Sequence, residues 1–147
     1  LLWAKRCSGR EATERILIVP DKILVVDDSD DTREMMAKLL EMESYSVVTA
    51  GDGQIGLEVA EAELPDLIIT DIHMPNLNGI EMIRILREHP MLQSIPIMAI
   101  TAYGSAVASE ALQMGADYAT SKPVEFETLI GGIKTLLSRN NSSFKEG

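Results

Sequence analysis

Five polar side chains stand at the ends of apolar runs in this 147-residue chain. Asp27 and Asp28 follow Val25-Val26, Asp71 closes Leu67-Ile-Ile-Thr, Thr101 closes Ile97-Met-Ala-Ile, and Lys122 follows Tyr118-Ala-Thr-Ser. Three carboxylates with ordinary pKa values near about 3.9 bring roughly three negative charges into one crevice, a repulsion that a divalent cation relieves. An all-oxygen set with few carboxylates suits Mg²⁺, or Mn²⁺ in its place, because such an ion keeps several waters and shares its shell with phosphate oxygens. With the ion and the Lys122 ammonium added, the crevice is about neutral and ready for an anion. Phosphoryl transfer asks a protein mainly for in-line positioning and neutralisation of charge on the equatorial oxygens. Asp71, a metal, Lys122 and Thr101 supply those parts.

The elements that must bring these residues together follow from the hydrophobic pattern. Short apolar runs at 23–27, 46–50, 67–71, 97–101 and 118–121 are mostly too continuously apolar to face water on one side, so they read as buried strands. Amphipathic stretches separate them: Met35, Met36, Leu39 and Leu40; Ile55 and Val59; Met82, Ile83 and Leu86; Ala106, Val107, Ala111 and Leu112. Phe126, Leu129, Ile130, Ile133, Leu136 and Leu137 make the longest stripe, although Gly131 and Gly132 lower its propensity. This fivefold alternation predicts an α/β fold, a doubly wound parallel sheet with helices on both faces. Ligands of such sheets bind beyond the carboxyl ends of the strands, where the five polar residues fall. Gly51-Asp52-Gly53, Asn76 to Gly79 and Gly104 punctuate the strand-to-helix turns.

Composition narrows the function. With 46% hydrophobic and 24% charged residues the chain reads as one soluble globular domain. A single cysteine, Cys7, and the lack of a secretory leader argue for a cytoplasmic setting. No apolar run reaches the roughly 18 to 20 residues of a membrane span, so no membrane partner is expected. The net charge of −10 is unevenly spread: residues 1–22 carry +2 and the rest −12. A surface so acidic repels phosphate backbones, so no nucleic-acid partner is expected either.

Taken together, Lys22-Ile-Leu-Val-Val-Asp-Asp28, Asp71-Ile-His-Met-Pro75 with Asn78-Gly79, Ile97-Met-Ala-Ile-Thr101-Ala102, and Gly115-Ala-Asp followed by Lys122-Pro123 resemble a response-regulator receiver domain of two-component signalling. The resemblance covers about four fifths of the chain, with the pieces in order. It implies a (βα)5 flavodoxin-like sheet of strand order 2-1-3-4-5. It makes Asp71 the phosphoacceptor, which attacks a phosphohistidine and becomes an acyl phosphate. Asp27, Asp28, Asp71 and the His73 backbone carbonyl become the metal ligands, with Asp27 acting through water. Thr101, Ala102 and Lys122 become the phosphoryl-binding and switch positions, and Lys122-Pro123 a candidate cis peptide.

The less specific readings are kept beside these. Asp30 and Asp31 suit the first turn of a helix, where carboxylates complement the dipole. Eight methionines read as core filling. His73 stands where aspartyl-nucleophile phosphatases place a second carboxylate, so hydrolysis of the acyl phosphate is expected to be slow. His73 and Tyr103 are candidate tuners of its lifetime. Many receivers carry an aromatic residue three positions before the lysine; this chain has Ala119, and neighbouring Tyr118 faces the other side of the strand.

The expected function is that of a non-enzymatic phosphoacceptor. A histidine kinase or histidine phosphotransfer protein is the donor. A downstream protein meets the face built from the fourth helix, fifth strand and fifth helix, or the phosphoryl group passes onward. The expected boundaries are an extension or linker at 1–21, the receiver at 22–139 and a flexible tail at 140–147. Only 25 residues follow Lys122, which suggests a stand-alone receiver. The alternatives are the C-terminal receiver of a hybrid histidine kinase and, from another class, a Mg²⁺-dependent aspartyl-nucleophile phosphatase.

Overall fold

Each apolar run of four or five residues becomes a strand because helices cover both of its faces. The computed structural model describes residues 19–146, so Cys7 and the extension up to residue 18 lie outside the described residues. The elements alternate as β1 (Lys22–Val26), α1 (Asp30–Met42), β2 (Ser46–Ala50), α2 (Gly53–Glu63), β3 (Leu67–Asp71), α3 (Gly79–Glu88), β4 (Ile97–Thr101), α4 (Ser105–Met114), β5 (Tyr118–Ser121) and α5 (Phe126–Glu146). All neighbouring strands are parallel, in the order β2-β1-β3-β4-β5. This is the doubly wound arrangement that the alternation and the resemblance imply.

Strand alternation divides the core into two layers. Leu24, Val26, Ile68, Ile97 and Ala99 pack with Ala60, Met82, Ile83, Leu86 and Ala111 of α2, α3 and α4. Ile23, Val25, Leu67, Ile69, Met98 and Ile100 pack on the opposite face with Leu40 of α1 and Leu129, Ile133 and Leu136 of α5. Residues of alternate parity at the strand ends therefore open toward different helices. The apolar stripes are buried unevenly: Leu40 is fully buried, whereas Met35, Ile55 and Leu112 are exposed.

Three helices begin with the capping chemistry their sequences offer. The side chains of Ser29, Asp52 and Asn78 accept the N–H groups of Thr32, Ile55 and Glu81, while Asp30 and Asp31 fill the first turn of α1. α4 starts from Gly104, at φ +93°, without a side-chain cap. The α5 backbone stays helical to Glu146, past the Arg139 boundary expected from polarity. No proline interrupts that stretch, and extending an existing helix is far easier than nucleating one.

Two glycines in α5 give a test of this packing. Gly131 faces open space, whereas a Cβ on Gly132 would stand 3.0 Å from the Met98 terminal methyl and 3.9 Å from the Tyr118 ring. Gly131→Ala is expected to stabilise the protein by about 1 kcal/mol through helix propensity. It would appear as a higher denaturant midpoint at unchanged slope. Gly132→Ala should gain less, and an equal gain would show that the Met98 contact yields at no cost.

Candidate functional site

The strand alternation that buries Val25 and Ile69 against α1 and α5 aims Asp27 and Asp71 at the same side. Lys122, just beyond β5, joins them: its Nζ lies 3.3 Å from Asp71 Oδ2 and 3.5 Å from Asp27 Oδ2. These carboxylates are only 11% and 8% exposed, so the ammonium bridges them in a partly dry crevice. Their other oxygens are held by backbone. Asp71 Oδ1 accepts the Ile72 N–H at 2.7 Å and Asp27 Oδ1 the Ser29 N–H at 2.9 Å. Asp28 is exposed, yet it brings a carboxylate oxygen into one group with those of Asp27 and Asp71, all within 4.8 Å of one another. Such a cluster of hard oxygens fits Mg²⁺.

Electrostatics mark Asp71 as the stressed member. Burial pushes its carboxyl above the usual carboxylate range; Lys122 pulls it down, and Asp27 adds to the rise. Partial burial pulls the Lys122 ammonium down, but Asp27 and Asp71 together outweigh it and raise the group. Lys122 therefore stays charged while the two carboxylates it serves repel each other.

Thr101 is buried and follows the opposite parity, that of Ile97 and Ala99. Its Oγ1 accepts the Tyr103 N–H at 3.0 Å, so the hydroxyl is tied to its own loop and not to Asp71 or Lys122. Ala102 is exposed beside it. Tyr103, also exposed, meets His73 with ring centroids 3.9 Å apart at 46°, which joins the loops after β3 and β4. β3 ends at Asp71, so its alternation does not continue to His73. The Lys122-Pro123 peptide is cis. Tyr118 packs toward α5 near Gly132, and Ala119 faces the α2, α3 and α4 layer, as the strand period requires.

Sequence reasoning passed over three features. Arg33 of α1 donates to the Asp27 carbonyl at 2.8 Å and pairs with Asp30, pinning the loop that carries Asp28. Its signal is the spacing, six residues and nearly two turns beyond Asp27. Asp52 and Asn76, read only as turn residues, bond to each other at 2.8 Å. A cavity of about 480 Å³ runs from Asp27, Asp71 and Lys122 between α1 and α5, walled by Met35, Met36 and Phe126.

Comparison with known proteins agrees with this fold. The model of the response regulator receiver domain matches residues 23–134. The alkaline phosphatase synthesis transcriptional regulatory protein PhoP of Bacillus subtilis is 37% identical over 120 residues, which is 81% of this chain and 49% of PhoP. The chain thus spans about half the length of the curated relatives it matches. The chemotaxis response regulator CheY4 of Vibrio cholerae superposes with a TM-score of 0.75 at 32% identity, over 80% of this chain and 99% of that one. The receiver domain of a signal transduction histidine kinase from Syntrophus aciditrophicus gives 0.75 at 31%, over 80% and 90%.

The charge crowding predicts a pH dependence. Because the folded Asp71 carboxyl titrates above its unfolded value, its ionisation opposes folding; the penalty is absent below the unfolded pKa and complete above the folded one. With a chelator present, Asp71→Asn is expected to unfold at higher denaturant than the parent at pH 7. The difference should vanish below about pH 4. A variant less stable at pH 7 would contradict the assignment.

Proposed function

The chain belongs to the response-regulator receiver family of two-component signalling, and we propose that Asp71 accepts a phosphoryl group from the phosphohistidine of a histidine kinase or histidine phosphotransfer protein. The observation that carries this reading is the Lys122 ammonium shared between two nearly buried carboxylates. An Asp71 oxygen attacks phosphorus as the histidine N–P bond breaks; the imidazole leaves with that electron pair, and an acyl phosphate remains. Asp27, Asp28, Asp71 and the His73 carbonyl would hold Mg²⁺, which neutralises charge on the transferring group when bound. Lys122 is already charged and within reach of the arriving oxygens, so it needs little reorganisation.

Thr101 supports a switch. Its oxygen accepts from Tyr103 N–H, which leaves the hydroxyl hydrogen free to donate to a phosphoryl oxygen. Any shift of Thr101 then draws Tyr103 with it, and α4 begins two residues later at Ser105. The output surface on this reading is the face of α4, β5 and α5, with Ala119 leaving the usual aromatic position empty of a ring. His73 and Tyr103, in tilted contact between the loops after β3 and β4, tune the lifetime of the acyl phosphate by governing the approach of water.

Two experiments test the reading. The full chain and Asp71→Asn are incubated with acetyl phosphate, with and without Mg²⁺, and weighed intact. One phosphoryl group gained by the parent alone, with metal, is expected. A gain by the variant, or by neither protein, goes against Asp71 as acceptor, and sustained turnover of a phosphomonoester would favour the phosphatase instead. His73→Ala and Tyr103→Ala are each expected to change the dephosphorylation rate several-fold, and unchanged rates would remove both from the mechanism.

A further inference from the structure

The loop from Ile72 to Asn78 directly follows the proposed phosphoacceptor and carries the His73 carbonyl. Its ends are closed by the Gly79 N–H bonding to the Ile72 carbonyl at 2.7 Å. A Cβ on Gly79 would overlap the Asp71 carbonyl oxygen, so the closure is as tight as backbone allows. Closing the base does not fix the far side of the loop. Besides the His73–Tyr103 ring contact, that side is held at two points from the start of α2.

The first point is a side-chain bond. Asn76, at φ +69°, turns its amide onto Asp52 Oδ2 at 2.8 Å. Asp52 is buried, and its other oxygen caps α2 by accepting the Ile55 N–H at 2.9 Å. The anchor is thus immobile and charge-assisted. The Ile55 bond, and then the Asn76 bond, hold its carboxyl below the usual carboxylate range. The second point is a backbone approach. Leu77 lies against Gly53 so closely that a Cβ there would overlap the Leu77 carbonyl oxygen.

We infer that the Asp52–Asn76 hydrogen bond is a positioning device that presets the His73 carbonyl for a divalent cation held by Asp27, Asp28 and Asp71. The inference rests on the receiver reading above and adds two residues that touch neither the ion nor the phosphoryl group. Its physical basis is preorganisation: a ligand carried on a seven-residue loop binds more weakly when the loop must first be ordered. The β2-to-α2 turn then takes part in setting metal affinity, although it supplies no ligand.

The test is calorimetric titration of the full chain with MgCl₂ at a temperature well below unfolding. Asn76→Ala should raise the Mg²⁺ Kd by about 10-fold, the low end of the range that outer positioning residues command. In the exchanged pair Asp52→Asn with Asn76→Asp, the new amide at 52 can still cap α2 and donate to the new carboxylate at 76. This pair should recover most of the affinity that Asn76→Ala loses. Leu136→Ala, a buried change in α5 far from the loop, should lower stability and leave the Kd unchanged; this separates positioning from a general loss of stability. A parent-like Kd in Asn76→Ala would overturn the inference and leave the receiver reading intact. A parent that binds no Mg²⁺, or binds it equally well as Asp71→Asn, would overturn the receiver reading and this inference together.

Discussion

The structure turns on two carboxylates forced together at the end of a parallel sheet. Asp27 and Asp71 stand at the ends of adjacent strands whose residues on that face are apolar, so the backbone cannot move them apart without breaking β1–β3 pairing. Desolvation in the partly dry crevice raises the Asp71 carboxyl most, and the neighbouring Asp27 adds to the rise. Among the described residues Lys122 is the one cationic side chain at hydrogen-bond range of both, and it comes from the turn just beyond β5. The site is therefore under electrostatic tension when it holds protein groups alone. That tension is what the divalent cation proposed for the site would relieve.

The tension is confined by rigid surroundings. Ser29 and Ile72 N–H groups fix one oxygen of each carboxylate, Arg33 secures the carbonyl after β1, and Asp52 with Asn76 secures the loop after β3. The opposite side of the site is looser in construction. α4 starts from an uncapped glycine, and the Thr101 hydroxyl bonds within its own loop. Firm geometry around Asp71 and an uncapped start to α4 are what the proposed switch would need, because a local charge change can shift only an element with two accessible arrangements. Among the described residues no helix is long and apolar enough to cross a membrane.

Most of the fold was legible in the sequence. Five apolar runs became five strands within a residue or two, because parallel strands buried on both faces leave a continuous apolar signature. The candidate cluster was legible for the same reason, since charged residues at the ends of buried runs have few structural uses. The face assignments of Tyr118 and Ala119 also followed, because a strand has a fixed period of two. Helical detail was less legible. Met35 and Ile55 belong to apolar stripes and still face solvent, because a stripe gives the direction of a face and not its width.

What the sequence determined by itself was local: strand and helix periods, the turns at 51–53 and 76–79, the acidic first turn of α1, and the residue types that stand at strand ends. Those follow from backbone geometry and short-range hydrogen bonding, which act over a few residues. The tertiary structure decided which polar groups share a partner. Lys122 meets Asp27 across 95 positions, Asn76 meets Asp52 across 24, and His73 meets Tyr103 from a separate loop. Thr101, placed at the same rim by sequence, turned out to hydrogen-bond within its own loop. Such pairings depend on strand order, register and side-chain parity acting together, and no one segment carries that information.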